Sequence, residues 1–337
     1  MRRAIACCCV LVLLTLAACS SNGGEAEEQR ESLVVYSGRA EELVGHFLEE
    51  FEQESGVDVQ VKFGGTAELA SQILEEGDNS PADVFFAQDA GSLGAVQDED
   101  AFVTLPQELI STVPERFRSR TDHWVGITGR SRTVAYNPER VRPEEFPASI
   151  VDFTDAKWKD RLGWAPSNGS FQSFITAMRQ MRGEDATRQW LEAMKANGIR
   201  VYPNNITIVE AVSAGEIDAG FVNHYYALEL GSEDPNLKAV NHFIGGGDVG
   251  ALVNVAGVGI LETSEKKELA QSLVEFLLTP EVQQEFTERT FEYPLRPGVA
   301  ANPTLTPLDQ LNPPDIDLSN LDDLEGTLDL LRDVGLL

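Results

Sequence analysis

The hydrophobic pattern of residues 33–89 switches repeatedly between two periods, and this alternation constrains the fold more than any other feature of the sequence. A short apolar run, LVVY, is followed by apolar residues at helical spacing that end at Gly56. The stretch 57–63 alternates like a strand, 66–77 returns to helical spacing, and 81–89 enters another apolar run from a proline. The pattern predicts strand–helix–strand–helix–strand, the order found in mostly parallel α/β sheets.

The middle of the chain repeats this order, so we expect two lobes, each a mostly parallel sheet flanked by helices. The length of 337 residues is about twice that of a typical domain, which favours the same division. Thr207 to Glu210 has the spacing of a capping box, and Thr279 followed by Pro280 is typical of a helix start. Further strands and helices are predicted within 124–137, 162–181, 188–198, 207–230, 250–261, 279–289 and 321–334.

In sheets of this kind, ligands bind in the crevice beyond the carboxyl ends of the strands. Three short segments of the first half follow predicted strands and are expected at that edge: 36–39, 63–66 and 87–89.

The first nineteen residues, MRRAIACCCVLVLLTLAAC, have the layout of an export signal. Two arginines precede an uncharged apolar stretch, and small residues lead to Cys19. The ending resembles the lipobox of bacterial lipoproteins, which predicts a signal peptide over 1–18, lipidation of Cys19 and a polar tether over 19–31. The alternative is an ordinary signal peptide with incidental cysteines. A lipid anchor implies an extracytoplasmic protein held at the cell membrane by its N-terminus alone.

Charge and cysteine usage exclude several classes of function. The net charge is −29, and removal of residues 1–18, which hold two arginines and no acidic residue, moves it to −31. A polyanion of this sign is repelled by nucleic acid. All four cysteines lie in the leader, so the predicted folded part has no disulfide, no thiolate metal site and no cysteine nucleophile.

Two of the six tyrosines, Tyr225 and Tyr226, stand side by side after the predicted strand 218–222. Neighbouring side chains of a strand point to opposite faces, so the pair serves one site only if the chain turns there. A phenol titrates near 10 in water, and two phenolates held together require a strong cation such as ferric iron. The alternative is a pair of tyrosines packed at the edge of a lobe.

Five segments together resemble the bacterial periplasmic ferric-ion-binding proteins, which are the substrate-binding subunits of iron ABC importers. They are NSPADVFFAQD, GITGRSRTVAYN, WKDRLGWAPSNGSFQ, AGEIDAGFVNHYY and DVGALVNVAGVGIL. The resemblance extends in order over about residues 32 to 335 and implies a two-lobed type II periplasmic-binding-protein (Venus-flytrap) fold. It also implies a monomeric protein that is not an enzyme and whose partner is the permease of an importer.

The resemblance also suggests lobe boundaries. Lobe one is expected to combine 32–127 with 255–305, and lobe two 128–254 with 306–337. Strands near 130–136 and 252–260 are expected to form the hinge between them.

The resemblance implies that Tyr225 and Tyr226 bind Fe³⁺, the transported ligand, but the sequence departs from the family in lobe one. Some members supply a histidine where this chain has Ala40, and a glutamate where it has Gln88. Other members use three tyrosines, so we expect Tyr36 to complete the metal site, with Asp89 in reserve.

Members of the family also bind carbonate or a similar synergistic anion. Here the resemblance places that anion at Asn168, Gly169 and Ser170, where backbone N–H groups at the start of a helix favour negative charge. Further candidate contacts to the anion or the tyrosines are Arg39, Arg130 or Arg132, Asn205 and Asn223. For the arginines the alternative is a structural ion pair between lobes.

Two other functions remain open from the sequence. The same fold could bind a ferric chelate or a small anion, with Arg39, Arg130 and Ser170 as the main contacts. An exported hydrolase or transferase is the third reading, but the chain contains no G-x-S-x-G and no H-E-x-x-H motif. His224 adjoins the tyrosines, yet its side chain is expected to leave the chain on another face.

Overall fold

The computed structural model describes residues 31–337; the predicted signal peptide, Cys19 and the predicted tether up to residue 30 lie outside the described residues. The strands are β1 Ser32–Ser37, β2 Asp58–Phe63, β3 Val84–Ala87, β4 Trp124–Tyr136, β5 Leu162–Trp164, β6 Arg200–Val201, β7 Ala219–Asn223, β8 Val240–His242, β9 Val253–Ile260 and β10 Tyr293–Pro294. The helices are α1 Glu41–Ser55, α2 Thr66–Glu76, α3 Ala90–Asp98, α4 Gln107–Ile110, α5 Gly169–Arg182, α6 Glu184–Ala196, α7 Asn205–Ser213, α8 Tyr225–Glu233, α9 Lys267–Leu277, α10 Pro280–Thr290 and α11 Leu324–Asp333.

The local signals in the sequence explain most of these boundaries. Helix α1 buries its apolar stripe and ends at Gly56, whose φ of 74° is the left-handed conformation that glycine adopts at low cost. Helix α10 starts with Pro280, and the Thr279 hydroxyl accepts a hydrogen bond from the Val282 N–H, so the predicted cap is confirmed.

One predicted cap was wrong. Helix α7 begins two residues before Thr207, and its cap is Asn204, whose side chain accepts a hydrogen bond from the Thr207 N–H. Asparagine is at least as favourable an N-cap as threonine, because its amide oxygen reaches the same backbone N–H donors.

All ten strands belong to one curved sheet with the order β2-β1-β3-β9-β4-β7-β5-β6, while β8 and β10 pair with β4. β1 runs parallel to β2 and β3, and β5 runs parallel to β6 and β7. β9 is antiparallel to β3 and β4, and β4 is antiparallel to β7. The predicted α/β architecture is therefore confirmed, with antiparallel strands joining two parallel groups.

Strand β4 joins the two parallel groups, because its thirteen residues are long enough to pair with both. Its first part pairs with β9, with a register shift between Gly126 and Thr128, and its last part, from Arg132 onward, pairs with β7. The predicted hinge segments lie on β4 and β9. The lobe boundaries themselves stay a prediction, since Glu31–Leu337 pack as one compact unit.

The core lies on both faces of this sheet, because the central strands are buried along their whole length. Trp124, Trp158 and Trp164 are among the largest fully buried side chains. No helix within residues 31–337 is long and apolar enough to cross a membrane.

The packing of β9 against β4 is tight enough to test. A Cβ at Gly257 would lie 2.7 Å from the Val125 carbonyl oxygen, an atom that the sheet holds in place. Gly257→Ala is therefore expected to lower the free energy of unfolding by about 1–3 kcal/mol, as overpacking does in cores. Urea denaturation measures it, with Gly245→Ala, which meets nothing within 4 Å, as the control expected to stay within about 0.5 kcal/mol. Equal stability of the two variants would contradict the packing.

Candidate metal centre

A cleft of about 590 Å³ opens at the carboxyl ends of the parallel strands, where the sequence predicts it. Its walls come from 38–43 after β1, 63–66 after β2 and Gln88 after β3 on one side. Residues on the other side come from the segments around the starts of α5 and α7 and from helix α8. The cleft therefore lies between the two parallel groups of the sheet.

The tyrosine pair forms the first turn of α8, which starts directly after β7. The expectation that the chain leaves the strand at this point is confirmed. Tyr225 is fully buried and Tyr226 is 8% exposed, and their ring centroids lie 4.2 Å apart at an interplanar angle of 33°. The turn thus brings both rings to one place, which a continuing strand would not do.

The surroundings of the tyrosine pair oppose ionisation of Tyr226. The Tyr225 hydroxyl lies near the Arg39 guanidinium and the Tyr226 hydroxyl, but none of these contacts has the geometry of a full hydrogen bond. Burial, followed by the neighbouring Tyr225, raises the pKa of Tyr226 well above the usual value for tyrosine. Tyr226 is therefore protonated at neutral pH unless a cation displaces its proton.

Three arginines are buried beside the pair: Arg39, Arg130 and Arg132 are 2%, 1% and 4% exposed. The Arg39 guanidinium carbon lies 5.9 Å from the centroid of the Tyr225 ring. Burial, and then the charge of Arg39, lower the pKa of Arg130. Burial lowers the pKa of Arg132 to about 10. All three nevertheless carry their charge at neutral pH.

Carboxylates compensate only part of this charge. Glu292, which is fully buried, accepts hydrogen bonds at 2.9 Å on both oxygens from Arg39 Nη2 and a third, at 2.7 Å, from Thr128. Burial alone would lower the pKa of Arg39, but the Glu292 carboxylate together with Tyr225 and Tyr226 more than offsets burial and raises that pKa above the ordinary value. The contact with Glu292 is an ion pair, as the alternative for Arg39 supposed, but both residues lie within the predicted lobe one and the pair does not join the two predicted lobes.

Five guanidinium nitrogens of the cluster are buried without a hydrogen-bond partner among residues 31–337. They are Nε and Nη1 of Arg39, Nε and Nη1 of Arg130, and Nη2 of Arg132. Each guanidinium also makes at least one hydrogen bond, from Arg130 to the Val255 carbonyl at 3.3 Å and from Arg132 to the Asn223 amide oxygen at 3.1 Å. Buried donors of this kind are costly without acceptors, so the cluster is built to receive negatively charged oxygen atoms.

The start of α5 is tied to both walls of the cleft through Ser170. Its hydroxyl accepts hydrogen bonds from Gln88 at 3.1 Å and from Asn223 at 3.0 Å. Asn168 caps the helix by accepting from the Ser170 N–H, and Gly169, its first residue, lines the cleft with Asn168. A side chain at Gly169 would lie 2.7 Å from an Asp89 carboxylate oxygen, so only glycine fits there.

Asp89 is close to the cleft but its carboxylate caps another helix. It accepts hydrogen bonds from the Ser92 N–H at the start of α3 and from the Ser173 hydroxyl at 2.7 Å. Burial raises its pKa, while these bonds and the charge of Arg130 oppose the rise. Both of these hydrogen bonds end on Oδ1, so Asp89 has a structural role at the start of α3.

The structure does not bring Tyr36 to the tyrosine pair, so its expected place at the metal is corrected. Its hydroxyl donates to Glu76 on α2 at 3.1 Å and accepts from Gln72 at 3.3 Å. Burial and the Glu76 carboxylate raise the pKa of Tyr36 to about 12. The pleat of β1 explains the difference, because it turns this side chain toward α2.

The remaining two candidates have different roles. Asn205 is 1% exposed, lies near the Tyr226 hydroxyl and has no hydrogen-bond partner for its amide nitrogen within the described chain. His224 is fully buried away from the cleft, accepts from the Ser131 N–H at 3.2 Å and contacts the Phe291 carbonyl at 2.8 Å. Burial lowers its pKa to about 4, so it is a neutral, structural histidine.

Sequence reasoning missed two acidic residues of the cleft region. Glu292 is a single acid between aromatic residues in the stretch TFEYP, and its isolation in an apolar context was the available signal. Glu229 lines the cleft from α8. Its spacing of four residues from Tyr225 places it on the same side of α8, but no helix is predicted from the sequence after the tyrosine pair.

Comparisons with known proteins agree on one group of relatives. A family model described as bacterial extracellular solute-binding protein matches residues 79–319. A protein of Serratia marcescens named Fe(3+)-binding periplasmic protein is 32% identical over 312 residues, covering 91% of this chain and 91% of that protein.

Two solved structures of iron-binding proteins are also similar to this chain. Iron-bound HitA from Pseudomonas aeruginosa matches with a TM-score of 0.87 at 34% identity, covering 91% of this chain and 100% of that chain. A Trichodesmium protein (IdiA, FutA), solved in complex with iron and citrate ligands, matches with a TM-score of 0.77 at 28% identity over 91% of this chain and 100% of that one.

The ion pair between Arg39 and Glu292 generates a stability prediction. Glu292→Ala leaves the buried Arg39 guanidinium without its counter-charge, so we expect a loss of about 3–5 kcal/mol in the free energy of unfolding. Urea denaturation of the ligand-free protein measures this loss. Glu288→Ala, an exposed glutamate one turn earlier on α10, is the control and is expected to change stability by about 0.5 kcal/mol or less. A loss below about 1 kcal/mol for Glu292→Ala would show that the pair is not essential to the fold.

Proposed function

The chain belongs to the family of bacterial extracellular solute-binding proteins, and on that premise we propose that it captures ferric iron in its cleft and delivers the iron to the permease of an ABC importer. The membership confirms the predicted family. Proteins of this family bind solutes and are not enzymes, so that prediction is confirmed as well. The likeness to HitA confirms the predicted type II periplasmic-binding-protein fold.

The observation that carries the proposal is the burial of two adjacent phenols among three arginines with five unpartnered nitrogens. Phenols are poor donors to weakly acidic cations because their protons must first be displaced. Ferric iron is a hard trivalent ion that displaces them, and the resulting phenolates are acceptors for the arginine N–H groups. The named relatives, an Fe(3+)-binding protein and iron-bound HitA, support this choice of cargo.

The charge balance leaves room for the synergistic anion expected from the sequence. Two phenolates offset two of the three charges on the metal, and the arginines add further positive charge. We propose that carbonate or a similar anion binds between Arg39, Arg130 and the start of α5 at Asn168, Gly169 and Ser170, where helix geometry favours negative charge.

We propose supporting roles for the two asparagines and leave Tyr36 and Asp89 out of the ligand set. Asn205 is placed to hydrogen-bond a Tyr226 phenolate through its unpartnered amide nitrogen. Asn223 links Arg132 to Ser170 and so fixes the anion side of the cleft. Tyr36 and Asp89 already use their oxygens on Glu76, Ser92 and Ser173.

The proposal includes the cellular setting expected from the leader. The protein acts as a monomer outside the cytoplasm, tied to the cell membrane by a lipid on Cys19, with the folded part accessible to the permease. Closure of the two sides of the cleft around the metal supplies the state that the permease recognises, because only the closed state completes the coordination.

The visible spectrum tests the role of the tyrosine pair. Purified protein titrated with ferric citrate in bicarbonate buffer is expected to develop a tyrosinate-to-iron charge-transfer band. Tyr225→Phe removes one phenolate, so its band is expected to be lost or strongly reduced and its iron affinity to fall more than about 100-fold. Tyr36→Phe is the matched control and is expected to keep the band, because its hydroxyl bonds Glu76.

The outcomes separate the candidate functions. A band in the wild type that disappears in Tyr36→Phe and survives in Tyr225→Phe would reverse the ligand assignment. No band in the wild type, together with citrate binding that Tyr225→Phe leaves unchanged, would instead favour a small anion or a ferric chelate as the ligand.

The lipid anchor is tested by cell fractionation. Cys19→Ser removes the thiol that would carry the lipid, so we expect the protein to move from the membrane fraction to the soluble extracytoplasmic fraction and to lose labelling by a fatty-acid analogue. Cys9→Ser changes a cysteine of the same leader and is expected to leave both unchanged. Membrane retention of Cys19→Ser would contradict lipidation at this residue.

A further inference from the structure

Helix α8 carries a glutamate on the same side as the tyrosine pair. Glu229 follows Tyr225 by four residues and Tyr226 by three, which are the spacings of side chains that neighbour each other on a helix. Side chains of a helix lean toward its N-terminus, so a carboxylate at this position is within reach of the helix face that carries the tyrosines. Glu229 and Tyr226 both line the cleft.

The Glu229 carboxylate differs from the other acidic groups near the arginines because it has no partner. Glu292 is held by Arg39 and Thr128, and Asp89 by Ser92 and Ser173. Glu229 is half-buried, yet its carboxylate makes no hydrogen bond and no ion pair with any residue in the part of the chain that the structure describes. The oxygens of this carboxylate are still reached by solvent in the cleft, so they are free to bind a cationic ligand.

The charges that face Glu229 lead to the same conclusion. Besides burial, three negative charges raise the pKa of Glu229: Glu292, Glu233 on the same helix and Glu42 on α1. The charge of Arg39 opposes them. Burial, followed by Glu292, raises the pKa of Glu229 to about 7. Arg39 also lies beside the Tyr225 hydroxyl, so the Glu229 carboxylate and the phenols share one neighbour.

We propose that Glu229 contributes a carboxylate oxygen to the coordination of the ferric ion held by Tyr225 and Tyr226, an inference that rests on the proposed function. A carboxylate is a hard oxygen donor suited to this ion. With two phenolates it brings the charge of the protein ligands to the three units of Fe³⁺. Any proton on Glu229 leaves when the metal binds. The synergistic anion and water then occupy the remaining positions.

Glu229 supplies an anionic oxygen from the same helix that carries the phenols. The proposed anion site at the start of α5 lines the same cleft, so the anion and the arginines can complete the coordination.

Spectroscopy with matched variants tests the proposal. Glu229→Gln keeps the size of the side chain and removes its charge. It is expected to retain a charge-transfer band, because both tyrosines remain, but to shift that band to longer wavelength, since the iron loses an anionic donor. Its ferric affinity, measured by competition with citrate, is expected to fall more than about 100-fold. Glu233→Gln, one turn further along the same cleft wall, is expected to keep the band and an affinity within about threefold.

Several results would overturn the assignment. One is a Glu229→Gln protein with an unshifted band and an affinity within about threefold of wild type. Another is an equal loss of affinity in Glu229→Gln and Glu233→Gln with no shift in either, which would indicate a general effect of negative charge. If Glu229→Gln fails to fold by circular dichroism, Glu229→Ala replaces it, and an unchanged band and affinity there would also refute the proposal. A wild type without any band refutes the proposed function itself, which keeps the two failures distinguishable.

Discussion

Three buried arginine side chains beside two buried phenols are the constraint on which the rest of the site depends. The only carboxylate that forms an ion pair with any of them within the described residues is Glu292, and it bonds Arg39. Isolated buried charges are expensive, so a fold that keeps this cluster must offset it when the site is in use. Under the proposed function, phenolates and an anion supply this negative charge once a cation has displaced the phenolic protons. The arginines and the metal then stabilise each other in the cleft.

The sheet explains how this cluster is assembled from distant parts of the sequence. Strand β4 carries Arg130 and Arg132 and pairs with β9 on one side of the cleft and with β7 on the other. Because the tyrosines follow β7 and Arg39 follows β1, the same hydrogen-bond ladders that build the fold fix the distances within the site. A change in the curvature of β4 would move the arginines relative to the phenols, which couples the shape of the cleft to the binding of charge.

The sequence predicted the order of the strands and helices better than the directions of individual side chains. The strand and helix order followed from apolar periodicity, and the turn at Tyr225 followed from the requirement that two neighbours serve one site. The prediction for Tyr36 was wrong because its position at a strand end was known, but the face toward which the pleat turns its side chain was not. The acceptor on that face, Glu76, lies 40 residues away in sequence. Glu292 was missed for the same reason, since its partner Arg39 is 253 residues distant.

Selectivity for a strongly acidic cation follows from the burial of the phenols. The pKa of Tyr226 is held well above that of a tyrosine in water, so any metal that binds must release a proton against that added cost. A divalent ion gains less from two phenolates than a trivalent ion does, while the cost of removing the protons is the same for both. Under the proposed function, the site therefore discriminates between cations by their charge, through the cost of displacing the phenolic protons. The negative net charge of the chain attracts cations in general, and in the proposed function the buried phenols determine which cations bind.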